Sequence, residues 1–586
     1  MSASATAAIS VLDAGGQYCH LIARKIRELG VEAEVRASDT PANEFAGRHG
    51  IVISGGPASV YDADSPSIDP AILSAGIPVL GICYGLQLIA HHCGGTVQKG
   101  ERGEFGLAEL RTLEDSALLA GTPPGQQVWM SHRDLVTAMP EGFRRVAETA
   151  SCPYSAIADP ARRLYGVQFH PEVVHTPHGQ RILSNFVLDI CRAPRDWDPV
   201  HSIEALEEQI RRSVGDRNVF FFVSGGVDST VAYTLCLRAL GAERVRGVYV
   251  DTGLMREGET DFVRHTFDSL HAEGTLAIEM ACEEFLGALQ GASDPEQKRH
   301  IIGEQFVALQ ERIIETRHLL DGHWVLGQGT IYPDTIESGG TAKAATIKTH
   351  HNRVAGIQKL LEEGRVVEPL AQFYKDEVRA IGRQLNVPDT LLERHPFPGP
   401  GLAIRCLCVE SGASMVRDAD GWVVPVNSVG VQGDSRSYKP VLILTAGGPR
   451  EATEVINRRH DVNRVTACLG GNAPVDALSV RPSGLTAARL ATLRRADAIV
   501  RRLSHQSGFE TRVWQFPVIL IPLGTADAPD SVVLRPVHSV DGMTAEAVVL
   551  PDSLRAAMAA ELLAVRGVAA VLLDLTHKPP GTIEWE

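Results

Sequence analysis

Across 586 residues, 44% hydrophobic and 22% charged, the chain has material for roughly three to five ordinary globular domains, with no need of disulfide or metal staples. A net charge of −15 excludes a duplex nucleic-acid binder, which needs a basic face to displace counterions, and leaves open a mononucleotide held in one local electropositive pocket. No cysteine pair has CxxC spacing, the start lacks the charged and long apolar segments of a signal peptide, and no apolar run matches a bilayer, so a cytoplasmic protein with reduced thiols is expected.

Up to about residue 194, short apolar runs alternate with helical patterns. AISVLDA, GIVISGG, IPVLGIC and LYGVQFH read as strands of a parallel or mixed sheet, and CRAPRDWDP (191–199) as a linker. GICYGLQ (81–87) has the Gly-x-nucleophile-x-Gly form, in which a sharp strand-to-helix turn exposes the nucleophile, here Cys83 near a helix N-terminus. A thiol needs a base, and the base needs orienting. In VQFHPE (167–172), His170 and Glu172 stand two apart on what reads as an extended segment and would point to one side. Gly55 and Gly56 of ISGGP, with the N–H of Tyr84, would supply oxyanion donors. Taken singly, these residues read as a buried structural cysteine and a surface histidine; taken together, they predict catalysis. The set resembles the class I glutamine amidotransferases over roughly residues 7–194. That resemblance implies glutamine hydrolysis through a γ-glutamyl thioester on Cys83, with Gln87, Ser131 and His132 helping to hold the glutamine.

A second α/β unit follows, with helical SIEALEEQIRRSVG, the strand VFFFV, a glycine turn, the helix TVAYTLCLRALG closed by Gly241, and the strand RVRGVYV; the expectation is a doubly wound sheet. VSGGVDST (223–230) lets backbone approach an anion at a helix N-terminus, adds hydroxyls from Ser224 and Ser229, and offers Asp228 to Mg²⁺. It lacks the GK[ST] ending of a Walker loop. It resembles the pyrophosphate loop of N-type ATP pyrophosphatases, which implies ATP binding by Ser224, Gly225, Gly226, Val227, Asp228 and Ser229, and cleavage between the α and β phosphates. VDTGLM, from Val250, resembles the segment of that family that meets adenosine, with Thr252 where the family usually has Asn. GGTAKAATIK (339–348) reads either as a lid over ATP, with Lys348 reaching phosphate, or as a surface loop.

The proline-rich HPFPGPGL marks a second boundary, giving expected domains at 1–194, 195–405 and 406–586. The last is expected to be α+β and internally duplicated: VPVNSVG (424–430) parallels RPVHSVD (535–541), and DVNRVTACL (461–469) parallels VRGVAAVLL (565–573). Cys406 and Cys408 read as alternating on a strand. DPEQKRHIIGEQF, GQGTIYPDTIES, IKTHHN, RHPFPGPGLAIR, VGVQGDSRSY and DLTHKPPGTIEWE all resemble the GMP synthetase family, so the resemblance runs across nearly the whole chain. It implies XMP as the aminated substrate, bound by Arg299, Asp434, Gln515, Lys578 and Glu584; the alternative for each is a solvated surface residue. The long C-terminal half is similar to the eukaryotic-type form with an extra copy of the dimerisation unit. Two copies on one chain could pair internally, which predicts a monomer or weak homodimer. A NAD synthetase-like ligase would lack the strings near Asp434 and Lys578. A nucleotide-sensing module is opposed by the intact Cys83, His170, Glu172 and Asp228.

Overall fold

In the computed structural model, which describes residues 7–16, 18–62, 65–199, 203–270, 272–332, 334, 354–432, 435–445, 447–539 and 545–586, the chain forms two units, Met1–Ser202 and Ile203–Glu586. The first is built on β1 (Ile9–Asp13), β2 (Ala33–Ala37), β3 (Gly50–Ile53), β4 (Val79–Ile82), β5 (Thr96–Thr112), β6 (Gly125–Ala138), β7 (Arg144–Glu148), β8 (Ala156–Asp159) and β9 (Leu164–Val167). Their order in the sheet is β2-β1-β3-β4-β9-β8-β7-β5-β6. The run from β2 to β9 is parallel, and β9 onward is antiparallel. β3, β4 and β9 are buried along their whole length, as their unbroken apolar runs require. With β4 flanked by β3 and β9, the carboxyl ends of these three strands lie side by side. The segment 191–199 is fastened to this unit: Trp197 N donates to Gly30 O (3.0 Å), its ring lies 4.5 Å under the Arg27 guanidinium, and Arg195 Nε donates to Leu29 O (2.9 Å).

The second unit holds two large sheets. One contains β10 (Asn218–Val223), β11 (Val245–Asp251), β12 (Leu276–Met280), β13 (Trp324–Gly327) and β14 (Val366–Val367), all parallel, in the order β12-β11-β10-β13-β14. The chain winds one way from β10 to β12 and the other way from β13, so the loop after β10 opens at the topological switch point, where ligands of such sheets bind.

The other sheet has the order β15-β16-β17-β18-β25-β22-β20, from β15 (Val416–Arg417), β16 (Gly421–Gln432), β17 (Ser435–Leu444), β18 (Arg464–Gly471), β20 (Val518–Ile521), β22 (Asp530–Leu534) and β25 (Val568–Asp574). Small ribbons pair β19 (Ser479–Val480) with β21 (Leu523–Gly524), and β23 (Val537–His538) with β24 (Glu546–Ala547). The large sheet is palindromic. β16 and β17 are antiparallel, and β17 and β18 are parallel around the helix Pro449–Arg458; β20 and β22 are antiparallel, and β22 and β25 are parallel around the helix Asp552–Leu563. The two ββαβ halves meet at an antiparallel β18–β25 pair, with Thr466 opposite Asp574. DVNRVTACL and VRGVAAVLL therefore occupy equivalent strands. VPVNSVG and RPVHSVD do not: the first lies on the opening strand of one half, whereas the second follows β22, the middle strand of the other. Their likeness reflects only valine-rich composition. Cys406 and Cys408 are also not on a strand; that segment is extended and held by isolated bridges, Cys406 to Leu520 and Val409 to Ser483. One hydrophobic core runs through both sheets, joining Phe220 and Leu326 to Leu309, Ile313, Leu442 and Leu573.

Beyond β25 the tail is clamped by two fully buried arginines. Arg464 and Arg535 reach Asp574 Oδ2 at 3.3 and 2.6 Å and donate to the carbonyls of Thr582, Ile583 and Glu584, while Trp585 Nε1 donates to the same carboxylate oxygen (2.9 Å). Burial alone would raise the Asp574 pKa, but the two guanidiniums hold it below the usual range; burial and Arg535 press Arg464 down to about 9. Removing this one carboxylate would leave two buried cations without their counter-ion, a loss of about 3–5 kcal/mol.

Candidate active sites

At the carboxyl end of β4 the chain turns sharply into helix α1 (Tyr84–His92), and Cys83 carries the turn at φ +52°. Such a conformation costs a non-glycine residue free energy, and it is held because the helix packs directly on the sheet. A Cβ on Gly85 would lie 2.3 Å from Ile53 O, so only glycine permits that approach. Cys83 is buried, and its amide donates to Val167 O (2.7 Å), tying the elbow to the end of β9.

Just past β9, His170 Nδ1 lies 2.7 Å from Glu172 Oε1, both residues buried. The pairing is made in a turn and not by strand alternation, because β9 has ended at Val167. Burial by itself would make His170 harder to protonate, but the Glu172 carboxylate and a hydrogen bond with Cys83 outweigh it and raise the pKa well above the ordinary imidazole value. Gly55 lies beside both partners: a Cβ there would sit 3.0 Å from His170 Cε1 and 3.4 Å from Cys83 Cβ, and one on Gly56 would sit 3.3 Å from the Tyr84 ring. Gln87, buried on α1, donates to Asp134 O (2.8 Å). The Cys83 thiol faces Ser131 O (3.7 Å), and His132 is held between Asp134 O (3.0 Å) and Glu104 (3.4 Å). Of the residues expected from the sequence, His170, Gly55 and Ser131 stand beside Cys83, while Gln87 and His132 are held at Asp134 nearby. Gln168 joins them unanticipated: fully buried, it donates to Cys83 Sγ at 3.5 Å and accepts from Gln87 at 3.4 Å. Its signal is present in VQFHPE, two residues before His170.

The second constellation sits at the switch point. Helix α2 (Val227–Leu240) starts after Gly226, with Val227 buried. Ser224 Oγ and Ser229 Oγ are 3.0 Å apart, Gly226 N donates to Ser224 Oγ (3.2 Å), and Gly225 takes φ +75°. The loop after β13 presses on this turn, since a Cβ on Gly329 would lie 2.7 Å from Ser229 N. Asp228 Oδ2 is ion-paired to Lys375, the first residue of helix α3 (Lys375–Gln384), while its enclosed Oδ1 has no hydrogen-bond partner among the described residues. Sequence reasoning misses Lys375; only its place in YKDEVR, at a helix start, could mark it. Val250 lies on β11, beside the end of β10, and Thr252 Oγ1 accepts from Leu254 N (3.2 Å), a local turn bond.

Of the residues expected to meet XMP, Asp434 lies outside the described residues, as do Lys348 and its segment 339–348. Arg299 donates to Glu586 O (2.5 Å). Glu584 is gripped by two nitrogens of the fully buried Arg405 guanidinium fork (2.9 and 2.6 Å). Gln515 bridges to Val537 of β23, whose partner strand β24 follows the Ala545–Lys578 bridge, so Gln515 and Lys578 flank one small ribbon. The strings VGVQGDSRSY and HKPPGTIEWE also meet: Val429 N donates to Trp585 O (2.8 Å), Val431 N donates to Pro580 O (2.8 Å), and Gly430 bridges Gly581. Among the described residues no histidine, cysteine and carboxylate group forms a ready metal cage, and no helix is long and apolar enough to cross a membrane.

Comparison with known proteins agrees with this division of chemistry. Residues 10–190 match the glutamine amidotransferase class-I family, residues 200–298 the NAD synthase family, and residues 503–585 the GMP synthase C terminal domain. The chain is 40% identical over 603 residues to a probable glutamine-hydrolysing GMP synthase of Leptospira interrogans, with 99% of each chain covered. It is 39% identical over 588 residues to the glutamine-hydrolysing GMP synthase of Aquifex aeolicus, again with 99% of each covered. Among solved structures, a putative GMP synthase component from Thermoplasma acidophilum is 34% identical, covering 31% of this chain and 93% of its own, with a TM-score of 0.29.

Proposed function

We propose a residue-level mechanism for this chain, which belongs to the glutamine-hydrolysing GMP synthase family and aminates with nitrogen taken from glutamine at the expense of ATP. The observation that carries the first half is the buried His170–Glu172 pair (2.7 Å) standing beside Cys83, with Gly55 against both His170 and Cys83. His170 takes the thiol proton, and the sulfur attacks the carboxamide carbon of glutamine. Backbone amides at Gly55, Gly56 and Tyr84 face the oxyanion, His170 returns the proton to the departing ammonia, and water then hydrolyses the thioester. Gln87 and Gln168 keep the sulfur in place, and the Ser131–His132 loop closes the glutamine pocket.

In the second unit the Ser224–Ser229 turn receives the pyrophosphate part of ATP, and Val250 borders the adenosine. The XMP oxygen attacks the α-phosphorus, pyrophosphate leaves, and ammonia displaces AMP from the adenylate to give GMP. Asp228 fits a Mg²⁺ ion: one carboxylate oxygen is enclosed and has no hydrogen-bond partner among the described residues, as suits a hard cation that takes its other ligands from phosphates and water. Bound there, the ion would neutralise charge on the departing pyrophosphate. Arg299, Asp434, Gln515, Lys578 and Glu584 are the proposed XMP contacts, with Lys348 reaching the ATP phosphates. The protein is proposed to be cytoplasmic. Product identification from XMP, ATP and Mg²⁺ with glutamine or ammonium salt tests the reading; absence of GMP and AMP with both nitrogen donors would overturn it.

A further inference from the structure

Directly beyond VDTGLM, at the carboxyl end of β11, stands Arg256, whose side chain is only 7% exposed. Its guanidinium plane lies 4.5 Å from the Phe397 ring in the proline-rich string, and Phe397 also carries Arg405 at 5.3 Å. Its Nε is enclosed and makes no hydrogen bond; the nearest carboxylate oxygen, Asp497 Oδ2, is 3.6 Å away. The two terminal nitrogens also have no hydrogen-bond partner among the described residues, and unlike Nε they are not wholly enclosed.

The carboxylates around this cation are engaged with other guanidiniums, and the one it pairs with, Asp497 at 3.6 Å, is shared with Arg501. Arg394 grips Glu259 at 2.8 and 2.6 Å, Arg405 grips Glu584, and Arg501 bonds Asp497 at 2.8 Å. Among the described residues four guanidiniums thus share three carboxylates, and of the four Arg256 is the one without a hydrogen-bonded carboxylate. Burial, with the neighbouring Arg405, Arg501 and Arg394, pulls its pKa down to about 10 despite Asp497. The loop that presents it is fixed from behind: Arg494 of the helix Ala487–Gln506 donates to Gly253 O and to Met255 O (2.9 Å). A stacked, immobilised guanidinium with a free outer edge is pre-organised for a bidentate oxyanion, and it lies at the same end of the sheet as the Ser224–Ser229 turn.

We propose that Arg256 receives a nucleotide phosphate, an oxyanion of either ATP or XMP, at the mouth of the second unit; this rests on the GMP synthase reading above. The anion takes the outer edge of the fork and supplies the missing fourth negative charge. The test is ammonium-driven synthesis by the full chain bearing Arg256→Gln or Arg256→Lys, with ATP and XMP varied separately and glutamine hydrolysis as the check on folding. The KM of one nucleotide should rise about tenfold or more while the other stays within about twofold, with Lys recovering only part of the loss. If XMP is the source, the preference for XMP over xanthosine should narrow in the variant; if ATP is, inhibition by added pyrophosphate or AMP should weaken instead. Unchanged constants, or an equal rise in both, would overturn the proposal. Should Arg256→Gln fail to fold, the charge-keeping Lys variant carries the same readout. A wild-type chain that makes no GMP would sink the functional reading, whereas an active wild type with an indifferent variant would sink only this inference.

Discussion

Val429 of β16 donates its amide to the carbonyl of Trp585 at 2.8 Å, joining a strand in one half of the palindromic sheet to the tail that leaves the other half. Both strings that resemble XMP-binding segments are therefore brought together inside one chain. The β18–β25 pairing likewise joins the two halves within one chain, without the entropy loss of association. The working species should be a monomer, at most a weak dimer. Sedimentation at micromolar protein, with and without XMP, checks this, and a tight dimer that loses activity on dilution would contradict it.

Cys83→Ala should abolish glutamine-dependent synthesis and leave ammonium-dependent synthesis largely intact, because the sulfur lies in the first unit and the turn proposed to take ATP lies in the second. Loss of a nucleophile from such a run typically costs about 10⁴-fold or more in turnover. Equal loss with both donors would show that Cys83 does something besides release ammonia.

Asp228→Asn should slow synthesis with either donor by about a hundredfold or more, since its carboxylate is proposed to face metal and pyrophosphate. Lys375→Ala, which removes the partner on its other oxygen, should also act on both donors and leave glutamine hydrolysis unaltered. AMP release near the wild-type rate with ammonium salt would remove both residues from the ATP site.

His170 supplies a pH signature. Its folded pKa is raised because Glu172 and the hydrogen bond with Cys83 outweigh burial, so the imidazolium contributes stability that is fully present below the unfolded value of about 6.5 and is lost as pH rises through the folded pKa. Glu172→Gln removes the chief raising cause. The gap in unfolding midpoint between wild type and Glu172→Gln should therefore be widest near or just below pH 6.5 and should narrow in alkaline solution. A gap independent of pH above that point would mean that His170 does not hold the proton.

The catalytic run is legible in the sequence because an elbow needs its flanking glycines, and because His170 and Glu172 are near neighbours in the chain. What escapes depends on adjacency between distant segments. Gln168 reaches Cys83 only because β9 lies against β4, and Lys375 meets Asp228 across 147 residues. The doubly wound sheet follows from its apolar runs, but of the two string pairs that suggest duplication only the one on β18 and β25 is structurally equivalent. Arg256 escapes for the same reason: a single arginine after a recognised motif reads as solvated until Phe397 and Asp497 are seen around it.

A palindrome folded into a single chain is released from the identity that a homodimer imposes. In a dimer every residue occurs twice, and any change strikes both halves at once. Here the segment 429–438 occurs only in the first half, and the tail after Asp574 only in the second. Each half is thus free to drift toward its own task, one offering the receiving strand and the other the closing tail. Each chain then carries one copy of the proposed XMP contacts, which predicts filling along a simple hyperbola with one equivalent of ligand.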